Sequence, residues 1–209
     1  MNENSKQSYH HPNLKQALID EAIKLLDKKP YETITIRELT NLLGVSRTAV
    51  YRHFQSKEAL FQAVILEGFA KLKERMEELD TNRQLNIEDK IAHIGEKYIS
   101  FALEFPALYR LMFGDKLMKL REKQCDKECS EVDNAFDMLV LLVEEAQKAH
   151  IFEAGNPMEL ATAIWALIHG QASLLIDGHP MIQEQKEQLL QRGTKMILRG
   201  LAPATSHRP

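Results

Sequence analysis

Between Thr35 and Phe54 the chain starts, stops and restarts a helix in quick succession. Thr35 and Glu38 form a capping box, in which each side chain satisfies a backbone N–H at the helix start. Ile36, Leu39, Leu42 and Leu43 follow as the apolar side of a short helix over 36–43. Gly44 stops it, because glycine accepts the left-handed backbone of a tight helix exit. Ser46 caps the next helix only two residues later, and that helix reaches about His53. Two short helices joined by such a turn make a helix-turn-helix. Val45, Val50 and Phe54 can point back to a core, which leaves Arg47, Thr48, Ala49, Tyr51, Arg52 and His53 outside. A small, polar, basic outer face suits a major groove about 12 Å wide. An outward Tyr beside Arg and His suits phosphate contacts. The competing reading is a small helical bundle with a surface Arg/Tyr/His patch.

The flanks extend this unit. Residues 1–12 are polar and read as a mobile arm. Asn13 and Gln16 cap a first helix over about 14–28, ended by Pro30. Ser56 caps a fourth helix, to about 79. From Asn82 the pattern changes to longer helices. Ile87, Ile91, Ile94, Tyr98, Phe101, Ala102 and Phe105 line a helix that Pro106 ends, and a short helix follows over about 107–113. Residues 114–129 have no secure assignment. Ser130 opens an amphipathic helix. Pro157 starts another, ended by Gly178 and Pro180, and a last one covers about 182–198. The tail, 201–209, reads as disordered. No stretch makes a convincing strand. The expected fold is therefore all-α. A three-helix N-terminal unit with a helix-turn-helix spans 13–60, the fourth helix links it onward, and a C-terminal helical bundle occupies 80–200.

The stretch ITIRELTNLLGVSRTAVYRHFQSKEAL resembles the N-terminal domain of TetR-family transcriptional regulators, whose pattern reads GVSxxxxYxHFxSKExL. The resemblance covers about 14–72. It implies a homodimer, a double-stranded DNA operator, an all-helical C-terminal domain that binds a small effector, and release from DNA on binding. It implies base readers at Arg47, Thr48 and Ala49. It implies phosphate contacts at Thr35, Ser46, Tyr51, His53 and Lys57, with Lys57 at a helix start that also favours an anion. Thr40 departs from the pattern, which usually has Ala there, and a small packing adjustment is expected.

The C-terminal half carries a second resemblance. Trp165-Ala-Leu-Ile-His169-Gly170, preceded by PALYRLMFG, resembles the C-terminal domain type named for its Trp, His and Gly. The stretch from Leu160 to Ile176 is uncharged over 17 residues. A membrane span needs about 20 mostly apolar residues, so this reads as a buried helix and no membrane association is expected. Ala163, Ala166, Gly170 and Ser173 share one stripe, where small residues allow close helix approach. Trp165, His169, Ala172 and Ile176 lie roughly 110° round. One face can meet a partner subunit and the other its own domain. The resemblance implies a dimer interface of four helices, two per subunit, at about 157–177 and 182–198. Candidate effector-lining residues are Phe101, Phe105, Tyr109, Met112, Phe113, Phe136, Leu139, Trp165 and His169, which suit an apolar or aromatic ligand with a few polar anchors. Ordinary core is the competing reading for each, and for His169 a bond to a neighbouring helix or to Gln171.

Composition bounds the rest. The chain has 209 residues and a net charge of -3. Residues 1–55 carry 8 basic against 6 acidic side chains, and the remainder 19 against 24. The positive end coincides with the helix-turn-helix. Only two cysteines, Cys125 and Cys129, are present, so a reducing, cytoplasmic setting is expected. Their spacing and the Asp177-Gly178-His179 run read as solvated thiols and a helix exit, with no metal site. No cofactor is expected. No phosphate-binding loop, GxGxxG or HExxH appears, so no enzyme is expected. The alternatives are an activator or unliganded DNA-binding factor, or a helical-bundle carrier or enzyme.

Overall fold

The structure, a computed structural model, describes residues 13–80, 85–114, 130–178 and 184–203. They form helices α1 (Leu14–Leu26), α2 (Ile36–Leu43), α3 (Arg47–Tyr51), α4 (Lys57–Asp80), α5 (Ile87–Glu104), α6 (Pro106–Phe113), α7 (Ser130–Lys148), α8 (Pro157–Ile176) and α9 (Lys186–Gly200), with a 3-10 turn at Tyr31–Thr33. No strand occurs among the described residues, so the fold is all-helical. Cys125, Cys129 and His179 lie outside the described residues, as do the expected arm 1–12 and most of the tail.

The chain divides into two compact units, Met1–Gly68 with Ala107–Cys125, and Phe69–Pro106 with Asp126–Pro209. One division, after Gly68, falls within the linking helix at 60–80, and a second, after Pro106, assigns a further segment to the first unit. Nearly all of α6 belongs to the first unit. A glycine shows why α6 sits against α4 there. A Cβ on Gly68 would lie 2.6 Å from Met112 Sδ and 3.3 Å from Leu108 Cδ1. The bare backbone of α4 therefore seats the Met112 side chain.

Within the first unit α1, α2 and α3 pack on one another. Their core includes Leu18, Ala22, Ile34, Leu39 and Val50, with Leu60 and Val64 from α4. The forward bond of each expected cap forms, while the Gln16 amide donates to Asp20 Oδ1 at 3.1 Å. Asn13 Oδ1 accepts from Gln16 N at 3.2 Å, and Ser56 Oγ from Ala59 N at 3.1 Å. Lys29 forms an ion pair with Glu38, so the end of α1 is tied to α2.

In the second unit α8 is central, packing against α5, α7 and α9. Asn156 Oδ1 caps it by accepting from Met158 N, and Pro157 takes its first position, where a missing N–H costs nothing. Ala161, Ile164, Ile168, Ala172 and Leu175 are buried. Thr162, Ala163 and Ala166 are exposed. The helix is thus covered on one side within the single chain, not all round. It is long and apolar enough to cross a membrane by length and composition. Gln171 is buried, and its Nε2 donates to Leu189 O at 3.1 Å, which joins α8 to α9. At the far end of α7, His150 takes a φ of 58°, the left-handed exit usually given to glycine. Ile151 N then donates back to Ala146 O at 2.9 Å, and Phe152 is turned into the core.

Candidate functional site

The turn between α2 and α3 is built from local hydrogen bonds. Thr35 Oγ1 accepts from Glu38 N at 3.2 Å. Gly44, at φ 65°, ends α2, and Val45 N reaches back to Thr40 O at 3.0 Å. Ser46 Oγ accepts from Ala49 N at 3.2 Å and starts α3. Thr40 itself is buried, and its hydroxyl donates to Arg37 O at 2.8 Å. The substitution for Ala is therefore absorbed inside α2, without a partner from another helix.

Helix α3 then separates its two sides. Val50 is 0% exposed and Phe54 is 5% exposed. Thr35, Ser46, Arg47, Thr48, Tyr51, Arg52 and His53 are exposed, and Ala49 is half-buried. Tyr51, at 52% exposure, is a large ring left outside a packed unit. The helix stops at Tyr51, two residues before the expected end, but His53 N and Phe54 N both bond to Val50 O, so the turn continues past it. These bonds bring Ser46, Arg47, Thr48, Ala49, Tyr51, Arg52 and His53 onto one short helix and its ends, while Thr35 stands apart at the start of α2.

Lys57 is placed differently. Its Nζ donates to Glu32 O at 3.0 Å and lies 4.4 Å from the Tyr31 ring centroid. The ammonium is held between the 3-10 turn and the start of α4. Tyr31 packs edge-on against Phe61 at 4.5 Å. Burial raises the Tyr31 hydroxyl above its ordinary pKa, and the nearby Glu58 and Glu32 charges add to this. Tyr31 and Glu32 position Lys57, yet nothing in the local sequence pattern marked them.

Nine residues were expected to line an effector pocket. Tyr109, Met112 and Phe113 belong to the first unit, and the other six to the second. Met112 and Tyr109 are buried, and the Tyr109 ring lies 4.7 Å from that of Phe113. Phe101 and Leu139 are also buried. The Phe101 and Phe105 rings lie 5.4 Å apart at a tilt of 49°, with the Arg75 guanidinium over both and paired with Glu104 at 2.5 Å. A separate cluster gathers Phe136, Trp165 and His169, with Trp165 centred 6.1 Å from Phe136 and 5.3 Å from His169. Its organiser is Tyr98, which was expected only as part of an apolar helix face. Trp165 Nε1 donates to the Tyr98 hydroxyl at 3.1 Å, and that hydroxyl lies 3.2 Å from His169 Nδ1. Burial holds the His169 imidazole below its ordinary pKa. His169 thus bonds to a neighbouring helix, while the Gln171 amide turns to Leu189. No group of three or more His, Cys, Asp or Glu side chains suited to a metal ion occurs among the described residues.

Comparison with known proteins fits this geometry. Residues 18–64 match the pattern described as bacterial regulatory proteins of the tetR family. Residues 91–197 match the tetracyclin repressor-like C-terminal domain, a description that does not carry the Trp-His-Gly designation. The nucleoid occlusion factor SlmA of Marinobacter nauticus is 27% identical over 107 residues, 51% of this chain and 54% of that protein. The chain therefore spans about half the length of that relative. A protein of unknown function from Rhodococcus sp. RHA1 superposes with a TM-score of 0.78 at 28% identity, over 94% of this chain and 99% of that one. The TetR family transcriptional regulator PfmR from Thermus thermophilus gives a TM-score of 0.65 at 19% identity, over 87% and 97%, a likeness of fold. With the helix-turn-helix and half of the chain in the C-terminal pattern both matched, the chain belongs to the TetR family of DNA-binding transcriptional regulators.

Proposed function

We infer that this regulator is a cytoplasmic homodimeric repressor, released from a pseudo-palindromic operator when a small apolar or aromatic effector binds. The observation that carries the reading is the division of α3, with Val50 and Phe54 packed inward and Arg47, Thr48, Tyr51, Arg52 and His53 left in solvent. In this reading Arg47, Thr48 and Ala49 read base edges. Thr35, Ser46, Tyr51, Arg52, His53 and Lys57 meet phosphates, which fix register without carrying sequence information. Two such helices span half-sites about one turn apart, roughly 34–36 Å.

The exposed stripe of Thr162, Ala163 and Ala166, on the part of α8 that follows Glu159 and carries no charge, supports pairing through α8 and α9. Small side chains let two helices approach closely. The Phe136–Trp165–His169 cluster, with Tyr98, supports an aromatic effector: it offers flat apolar faces and one polar edge. Release then requires that the effector bind one dimer state more tightly than the other. Helix α4 supplies residues to both units and is the natural lever.

Native mass spectrometry of the full chain on a selected duplex tests this reading. It expects two chains per duplex and loss of the complex on adding a member of an aromatic small-molecule panel. One chain per duplex, or a complex indifferent to every such molecule, contradicts it.

A further inference from the structure

The second unit carries an open groove of about 310 Å³ bordered by α5, α8 and α9, at the small end of ligand cavities. It lies where two helices lack side chains, at Gly95 on α5 and Gly193 on α9. A Cβ on Gly193 would lie 2.2 Å from Gln171 Nε2, so the bare backbone lets the Gln171 amide lie against α9. The walls include Ile91, Ile99, Ile168 and Ile197. Glu96 and Lys195 both line it, and with one charge of each sign it favours a neutral occupant. None of the nine residues expected to line an effector pocket borders it.

Gln171 is the polar exception among these aliphatic walls. It is 7% exposed, and its Nε2 is already used by Leu189 O. Among the described residues no donor reaches its Oε1, and that oxygen is not sealed from solvent. The buried amide therefore presents a hydrogen-bond acceptor to the groove. A buried acceptor gains from a partner and loses when covered by an apolar group alone.

We propose that this groove is a second small-molecule site, distinct from the Trp165–Tyr98–His169 cluster. It takes a compact neutral apolar molecule of one or two rings carrying a single N–H or O–H donor. The donor bonds Gln171 Oε1, and the rings lie on the isoleucines. The selectivity comes from Gln171, which the bare backbone of Gly193 seats, and the space comes from Gly95.

Calorimetric titration of the full chain with indole and with benzothiophene tests the proposal, since the two differ in the N–H donor. Indole is expected to bind at one site per chain, about tenfold more tightly than benzothiophene. Gln171→Leu is expected to bring the two affinities together. Gly95→Leu is expected to abolish both, because a Cβ at Gly95 meets only Ile168 Cδ1 at 3.8 Å and a longer side chain extends into the groove. Replacing a mid-helix glycine also favours the helix, so this variant stays folded, as circular dichroism will show. Absence of saturable indole binding, equal affinity for both probes, or binding untouched by both substitutions overturns the proposal. The readout is binding itself, so a failure of effector-driven DNA release is a separate result.

Discussion

Trp165 and His169, one turn apart on α8, share a single hydroxyl. Trp165 Nε1 donates to the Tyr98 hydroxyl at 3.1 Å, and that hydroxyl lies 3.2 Å from His169 Nδ1. Burial of the ring favours the neutral imidazole. Tyr98→Phe leaves the indole and the imidazole without that oxygen. It is expected to destabilise the chain by about 1–2 kcal/mol, read from urea unfolding. An unchanged midpoint would show that the hydroxyl is dispensable.

The same pair gives a pH dependence. A His with a folded pKa below its unfolded value binds fewer protons when folded, so its contribution is complete above about pH 6.5 and is lost as pH falls toward the folded pKa. Wild type is expected to lose more stability than His169→Gln between pH 7.5 and 5.5. Equal losses in the two proteins contradict the assignment.

Gly44 is the second test. Its φ of 65° is costly for a residue with a Cβ, yet nothing lies within 4 Å of that added atom. Gly44→Ala is therefore a pure backbone change. It is expected to cost about 1–2 kcal/mol and lower the melting temperature by several degrees. A melting temperature equal to wild type removes the left-handed turn from the account.

Gly68 and Met112 form a coupled pair across α4 and α6. Gly68→Ala is expected to cost about 1–3 kcal/mol through overpacking, because the new methyl would lie 2.6 Å from Met112 Sδ. Combining it with Met112→Ala is expected to cost less than the sum of the single changes. Simple additivity would mean that the two do not meet.

On α3 the roles of two side chains separate by specificity. Arg47→Ala is expected to cost about 1–3 kcal/mol on the selected duplex and much less on random DNA. Tyr51→Phe is expected to weaken both about equally. Competition binding at fixed salt distinguishes them, and the opposite pattern exchanges the two roles.

What the sequence made legible was local. The caps at Asn13, Thr35, Ser46 and Ser56 and the stop at Gly44 depend on residues within one helical turn, so their chemistry is visible in order. The outward set on α3 followed from the same short range. The 3-10 turn at Tyr31–Thr33 and the His150 exit carried no glycine to announce them. Tyr98 was read as one more apolar position, because its partners on α8 stand 67 and 71 residues away. Lys57 was read only as a cation at a helix start, but Glu32 O, 25 residues earlier, holds it. Within one chain α8 is covered on one side only, and periodicity, which counts polar positions, does not say which neighbour covers the other.

Selection from a pool of random duplexes, at near-physiological salt, tests the central claim most directly. The account predicts enrichment of a pseudo-palindrome whose half-sites lie about one helical turn apart, and loss of that enrichment with Arg47→Ala. A retained pool without any enriched site, or one unchanged by Arg47→Ala, would contradict base readout by α3.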